Sequence, residues 1–232
     1  MPLMPLRPTS ASVNPATGAD LERAVRHYDG LAPTYDYATR RIDGVRARAI
    51  EALQLQPGDV VLDAGCGTGF CFEMIEQAIG PKGKLIGIEP SPAMLARARG
   101  RVEDAGWNNV ALLNSSGEAA RLPTAPNAIL FSYTHDLIRS RAGLANLFGQ
   151  SQPGARIAAA GTQLFPRWFF PGNWYLYYSH RGYITNFESF DAPWQILGEH
   201  LDGFTVRRAY PGERYLARGR LPGSLSTGGH AA

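Results

Sequence analysis

Four groups able to do chemistry stand at the ends of four apolar runs. Asp63 follows Val60-Val61-Leu62, Glu89 follows Leu85-Ile86-Gly87-Ile88, Glu118 lies shortly after Val110 to Leu113, and His135 lies just past Ala128 to Tyr133. In an open α/β sheet the ligand crevice lies outside the carboxyl ends of the strands, so four such positions converge on one place. Asp63 leads into Gly65-Cys66-Gly67-Thr68-Gly69-Phe70. Alternating glycines let the backbone turn tightly and bring main-chain N–H groups close to a ligand at the start of a helix.

The ligand follows from charge. A dinucleotide fingerprint needs a third glycine where this chain has Phe70. A carboxylate at the position of Asp63 repels a pyrophosphate but attracts an ammonium or a sulfonium, the two cationic centres of S-adenosylmethionine. Glu89 stands where an acid meets ribose hydroxyls, a role it would play equally in a nicotinamide enzyme. Glu118 can accept a hydrogen bond from an adenine amino group. Methyl transfer from a sulfonium needs an in-line nucleophile and dry surroundings. A phenol or hydroxyl acceptor also needs a base, and His135 is the candidate catalytic base or substrate-orienting group. His27 and His180 are weaker candidates with no partner visible, and Asp136 reads as a helix cap.

At these residues the chain resembles the class I S-adenosylmethionine-dependent methyltransferases. D-A-G-C-G-T-G from Asp63 resembles their glycine motif, I-G-I-E-P-S-P-A-M-L from Ile86 their second-strand motif, and G-E-A-A-R-L-P from Gly117 their third, over roughly Ala24 to Arg220. The resemblance implies cofactor contacts from Asp63, Gly65, Cys66, Gly67, Glu89, Pro90, Met94, Gly117, Glu118, Ala119 and Thr134. It implies S-adenosyl-L-homocysteine as the product left behind. Two departures stand out: Glu118 occupies a usual Asp position, and Asn127 replaces the Asp usual before the fourth strand, with no evident chemical consequence.

Tyr28-Asp29 and Tyr35-Asp36 are similar to the repeated Tyr-Asp lead of small-molecule methyltransferases, including the quinone C-methyltransferase-like group. There that segment folds over the cofactor, so Tyr28 and Tyr35 are expected to close over its methionine end or, as the alternative, to pin a helix to the sheet.

The elements that must position these groups alternate. Leu21 to Tyr28 and Ile42 to Leu53 read as helices, the second because Ile42, Val45, Ala49, Ile50 and Leu53 share a face. Further helices are expected over Phe72 to Ile79, from a Ser91-Pro92 cap to about Ala105, and over Leu137 to Gly149. The fifth strand ends at Gly161, and Phe204 to Tyr210 with Arg214 to Gly219 reads as a hairpin. The expected class is α/β: a Rossmann-like open, mostly parallel sheet of about seven strands with a terminal antiparallel hairpin and helices on both faces. Residues 1–20 and 223–232 read as flexible ends around one domain over residues 21–222, with an N-terminal lid at about 24–40 and an aromatic insertion at about 162–195. Aromatic side chains there, Trp168, Trp174 and Tyr178 foremost, are expected with Tyr133 to meet an aromatic or apolar acceptor; others must form the insertion's own core.

Composition narrows the classes. A net charge of +3 carried by scattered arginines, with Arg97, Arg99 and Arg101 read as a solvated helix face, points away from nucleic acid. Cys66 and Cys71 make no disulfide framework or metal set, which fits a reducing cytoplasm. No apolar run is long enough for stable membrane insertion, though a membrane-surface role for the aromatics stays open. A small-molecule substrate is the expected partner; a homodimer stays open. The competing readings are an NAD(P)-dependent oxidoreductase, against which Phe70 and Asp63 argue, and an S-adenosylmethionine-binding protein with a cyclase-like, pericyclase-like or regulatory role.

Overall fold

A computed structural model describes residues 18–165, 169–180, 190–209 and 213–223. Three helical pieces open it: α1 (Gly18–Leu31), α2 (Tyr35–Thr39) and, after a 3₁₀ turn over Arg40–Ile42, α3 (Asp43–Ala52). Then β1 (Val60–Ala64), α4 (Phe72–Ile79), β2 (Lys84–Ile88), α5 (Pro92–Ala105) and β3 (Val110–Leu113) alternate. They are followed by β4 (Ala128–Ser132), α6 (Arg141–Gly149), β5 (Arg156–Thr162), α7 (Phe170–His180), α8 (Gln195–Gly198), β6 (Asp202–Ala209) and β7 (Arg214–Arg220). The seven strands form one sheet in the order β3-β2-β1-β4-β5-β7-β6. β1 to β5 run parallel, while β7 lies antiparallel to β5 and to β6, as expected for the terminal hairpin.

Strand alternation divides the core between the two faces. Val61, Leu85 and Leu130 pack with Val45 and Ala49 of α3, Phe72 and Ile75 of α4 and Leu95 of α5. Leu62, Ile86, Ile129 and Ile157 pack with Leu144 and Leu147 of α6 and Leu197 of α8. The strand order reverses between β1 and β4, and both chains leave the sheet there at their carboxyl ends. That is the crevice where Asp63 sits.

Two expectations change in detail. The helix read over Leu137 to Gly149 is broken: a 3₁₀ turn covers Leu137–Arg139, and Ser140, whose hydroxyl accepts from the Gly143 amide at 3.0 Å, caps α6. Asp136 makes no side-chain cap bond. Asn127, expected to have no chemical consequence, has one. Its amide oxygen accepts from Val60 N at 3.0 Å and its amide nitrogen donates to Asp59 at 2.8 Å. Arg156 at 2.6 Å and the Gln56 amide at 2.7 Å complete the shell around Asp59. Burial raises the Asp59 carboxyl, but the Gln56 amide, Arg156 and Asn127 outweigh it and hold it below its ordinary value. An aspartate at position 127 can accept from Val60 but has nothing to donate to Asp59. Among the described residues no helix is long and apolar enough to cross a membrane.

This clamp ties the amino ends of β1, β4 and β5 together, so Asn127→Ala leaves both a strand amide and a buried carboxylate short of a partner. The expected loss is about 1–3 kcal/mol, read as a lower urea midpoint at unchanged m-value.

Candidate functional site

β1 ends on Asp63, and the chain then turns away from the sheet. Gly65 takes φ +80°, and its amide and that of Cys66 both donate to Ile88 O, at 2.9 and 3.0 Å. A side chain is impossible at Gly65: its Cβ would lie 2.2 Å from Thr134 Cγ2 at the end of β4. Gly67, at φ +56°, has nothing within 4 Å of a Cβ position, so the outer face of the turn is open to approach. Glu89 reaches across from β2. Its Oε2 accepts from the Gly67 amide at 3.0 Å and its Oε1 from the Ser91 amide at 2.8 Å. Burial nevertheless raises this carboxyl to about 7, against the lowering by those two amides.

Asp63 is the unusual group. It is 1% exposed, and neither carboxyl oxygen has a hydrogen-bond partner among the described residues. Burial drives its pKa to about 7, with Arg46 pulling it down and Glu89 pushing it further up. Arg46, only 4% exposed on α3, lines the same cavity of about 30 Å³, as do Tyr35, Gly67, Phe70 and Ser132. Its guanidinium lies 4.8 Å from the Phe70 ring centroid and 5.9 Å from that of Tyr133. Its polar contacts are long ones from Nη1, to Thr39 at 3.4 Å and Asp43 at 3.3 Å, and it does not close an ion pair on Asp63. A buried carboxyl and a buried guanidinium thus face one small cavity without bonding to each other. Such an arrangement fits a ligand end that carries both charges.

The lead segment closes this space from above. Asp29 accepts from Ser91 Oγ at 2.5 Å and from the Ala93 amide at 3.2 Å. Asp36 accepts from Thr68 Oγ1 at 2.5 Å and pairs with Arg101, whose Nε also donates to Thr68 O at 2.9 Å. Arg101 therefore departs from the solvated face expected of it, while Arg97 and Arg99 remain exposed. Arg46, Asp29, Asp36 and Arg101 were given no site role from sequence. A signal existed for Arg46, which stands four residues after Ile42 and three before Ala49, on the apolar stripe itself. For Asp29 and Asp36 the signal was their repeat after Tyr28 and Tyr35.

Of the other residues expected at the site, Tyr35 lines the cavity, and Tyr28 packs against it with ring centroids 6.3 Å apart. Met94 is buried under the α5 cap, where its amide donates to Ser91 Oγ at 3.2 Å, and Asn114 donates to Pro90 O at 3.0 Å. Gly117 is pressed against Leu137, 2.2 Å from where its Cβ would be, and the Ala119 amide donates to Ser116 O at 3.2 Å. Glu118 gives one oxygen to Ser140 Oγ at 2.5 Å. Burial raises it, but that bond and its neighbours hold it below its ordinary value. Thr134 Oγ1 is buried with no partner among the described residues.

Tyr133 holds φ +60°, a left-handed conformation rare for a bulky residue, at the lip of β4. Its hydroxyl is buried with no partner among the described residues. His135 is buried with its ring 5.9 Å from that of Tyr133 and 5.1 Å from that of Phe190; it does not line the Asp63 cavity. Cys66 and Cys71 are free and buried; burial pushes the Cys66 thiol well up and the Cys71 thiol to about 12, which leaves neither a nucleophile.

The aromatic insertion is only partly described. Trp168 lies outside the described residues, as does the His180 side chain. Trp174 and Tyr178, 72% and 57% exposed, stack on each other along α7 with centroids 6.1 Å apart. The structure puts them on an outer surface, away from the Asp63 cavity, because Leu176 is the α7 side chain turned into the core and Asn173 ties the helix to Phe165.

Comparison with known proteins places this geometry. The family model for protein-L-isoaspartate(D-aspartate) O-methyltransferase (PCMT) matches residues 36–158, just over half of the chain. A protein-L-isoaspartate O-methyltransferase from Ignicoccus hospitalis is 38% identical over 80 residues, covering 34% of this chain and 38% of its own. A demethylmenaquinone methyltransferase from Listeria welshimeri is 27% identical over 156 residues, covering 61% of this chain and 63% of its own. The chain thus spans between about a third and two thirds of the length of these curated relatives. Among solved structures, a SAM-dependent methyltransferase from Aquifex aeolicus shares the fold at TM-score 0.53 and 20% identity, over 76% of this chain and 89% of its own.

The charge state of Asp63 makes a prediction about stability. Its folded pKa of about 7 lies above the ordinary 3.8, so the folded state holds the proton more tightly than the unfolded chain. Stability from this neutral carboxyl is fully present below pH 3.8 and is lost as pH rises through about 7. Asp63→Asn, which cannot ionise, is expected to melt above wild type at pH 8, and the gap should close as the pH is lowered. Parallel melting curves at every pH would show that Asp63 is not held against ionisation.

Proposed function

We propose that this chain, which belongs to the protein-L-isoaspartate(D-aspartate) O-methyltransferase (PCMT) family, binds S-adenosyl-L-methionine at the Asp63 crevice and transfers its methyl group to a small aromatic or apolar acceptor. The observation that carries the reading is the buried, unpartnered carboxylate of Asp63 sharing a cavity with the buried guanidinium of Arg46. An amino-acid end offers an ammonium to the first and a carboxylate to the second. Neither a pyrophosphate nor a nicotinamide supplies that pair.

The remaining residues take complementary tasks. Glu89, already holding the Gly67 and Ser91 amides, keeps lone pairs for ribose hydroxyls and fixes the turn beside them. Met94, Pro90, Gly117 and Ala119 form the walls further along, and Glu118 has a second oxygen for a base amino group. The cavity of about 30 Å³ is far smaller than such a ligand. Admission therefore requires α1 and α2 to swing outward, breaking the Asp29 and Asp36 contacts, and their return excludes water. When bound, the sulfonium supplies an activated methyl group, and a dry, aromatic-walled site of Tyr35, Phe70 and Tyr133 protects it from hydrolysis.

His135 serves as base or orienting group only for an acceptor with a proton to lose, and its burial means that the acceptor must reach it past Tyr133. Trp168, Trp174 and Tyr178 remain the proposed acceptor-side aromatics, with the exposed pair engaged when substrate covers α7.

The family match favours a second acceptor class. Its model is that of an enzyme named for isoaspartyl protein, although the match ends at residue 158, inside β5 and before the aromatic insertion. The two readings share a cofactor site and differ in what lies beyond it. Incubation with methyl-labelled S-adenosylmethionine and either phenolic and quinol acceptors or an isoaspartyl peptide separates them.

Calorimetric titration with S-adenosyl-L-homocysteine, with NADH alongside, tests the cofactor. Binding of the first alone is expected. Asp63→Ala, Glu89→Ala and Arg46→Met should each weaken it by about tenfold to a hundredfold, the range for a lost hydrogen bond to a charged group. Wild-type affinity in the Asp63 and Glu89 variants would refute the placement. His135→Ala should bind normally and lose turnover on a phenolic acceptor alone.

A further inference from the structure

A second concavity lies at the opposite end of the sheet. α4 is capped by Gly80 shortly before β2, and α5 by Gly106 shortly before β3, so both helices present their carboxyl ends near the amino ends of those strands. Between them is a groove of about 510 Å³, walled by Glu73, Glu76, Gln77, Pro81, Trp107 and Asn109. A helix carboxyl end carries partial negative charge, normally offset by a basic residue in the last turn. Neither α4 nor α5 has one. Among the described ion pairs, neither Glu73 nor Glu76 has a cationic partner.

Glu76 is the decisive group. It is 7% exposed, its Oε2 accepts from Asn109 Nδ2 at 2.8 Å, and its Oε1 is buried with no partner among the described residues. Asn109 is already committed, its amide nitrogen also reaching Gly83 O at 3.2 Å. Burial raises the Glu76 carboxyl and the Asn109 bond only partly offsets this. An acceptor left unmet beside negative helix ends calls for a donor that is also a cation. Trp107, partly buried in the same wall, adds an aromatic face to which a cation is attracted.

We propose that this groove binds a guanidinium group, with Glu76 Oε1 accepting its N–H and Trp107 stacking on its plane. A guanidinium suits the site better than an ammonium, since it is planar, weakly hydrated and able to donate at its edge while stacking by its face. A quaternary ammonium has no N–H and leaves Glu76 unmet. The groove's volume falls in the range of small-ligand sites, about 300–1,000 Å³. Nothing in this assignment depends on the Asp63 crevice, which lies at the other end of the strands.

The test follows ¹H–¹⁵N spectra of the full chain during titration with methylguanidinium, methylammonium and N-acetyl-arginine N-methylamide. The reporter is the indole N–H that disappears in Trp107→Phe. A saturable shift is expected with methylguanidinium and a much weaker one with methylammonium. Tighter binding of the arginine amide would identify a protein side chain as the natural source, and tighter binding of methylguanidinium a free small molecule. Glu76→Gln should weaken binding about tenfold, equal to about 1.4 kcal/mol, with the remaining ¹H–¹⁵N cross-peaks unmoved as proof of an intact fold. Should that variant not fold, Trp107→Leu, read at the Asn109 side-chain amide, is expected to show the same loss. No saturable shift, equal response to methylammonium, or wild-type binding in the variant would overturn the assignment.

Discussion

A carboxylate buried with no hydrogen bond is costly, and Asp63 is kept in that state near the end of a buried central strand of the sheet. Desolvation of an ion costs several kcal/mol even after relaxation, and the structure meets that cost by letting the group hold its proton up to about pH 7. Arg46 lies close enough to lower that value yet does not close on the carboxylate. The pair is held open by what flanks it: Phe70 and Tyr133 hold the guanidinium, and the Gly65 turn, jammed against Thr134, holds the strand end. A site of this kind sacrifices stability in the empty protein and recovers it when a ligand of matching charges enters.

That constraint accounts for the architecture above the sheet. A charge pair in contact with bulk water would be hydrated and would discriminate little, so the crevice needs a cover. α1 and α2 provide it, fastened by Asp29 to the cap of α5 and by Asp36 to Thr68 and Arg101. Those bonds run from the partly exposed Asp29 and Asp36 to the buried hydroxyls of Ser91 and Thr68, while Arg101 sits at the outer edge. The cover is thus tied to the loops above the strands by polar bonds rather than through the two apolar layers beneath them. At the far end of the strands the Asp59, Asn127 and Arg156 cluster does the reverse, binding the amino ends of three strands so that motion above does not loosen the sheet.

The alternating strands and helices around the glycine turn were largely legible in the chain because their signals are local. Apolar runs ending in acids, glycines at alternate positions and a Ser-Pro cap are each set by a few consecutive residues, and strand and helix limits over residues 60–113 follow them closely. Legibility failed where the effect was nonlocal. Arg101 looked like one of several surface arginines until Asp36, 65 positions away, was brought beside it. Asn127 looked inert until Asp59, 68 positions away, gave its amide something to donate to. Which aromatics of α7 face outward was equally hidden: packing turned Leu176 into the core and set Trp174 and Tyr178 on the exposed side of the helix.

By itself, then, the order of residues determined the class of fold, the crevice and the glycine turn within it, because backbone conformation and side-chain period are short-range properties. The tertiary structure alone decided which charges oppose each other without touching and which are satisfied. It also decided which, like Glu76 and Asp63, are left waiting for a partner, since hydration, desolvation and distance between side chains far apart in sequence exist only once the chain is packed.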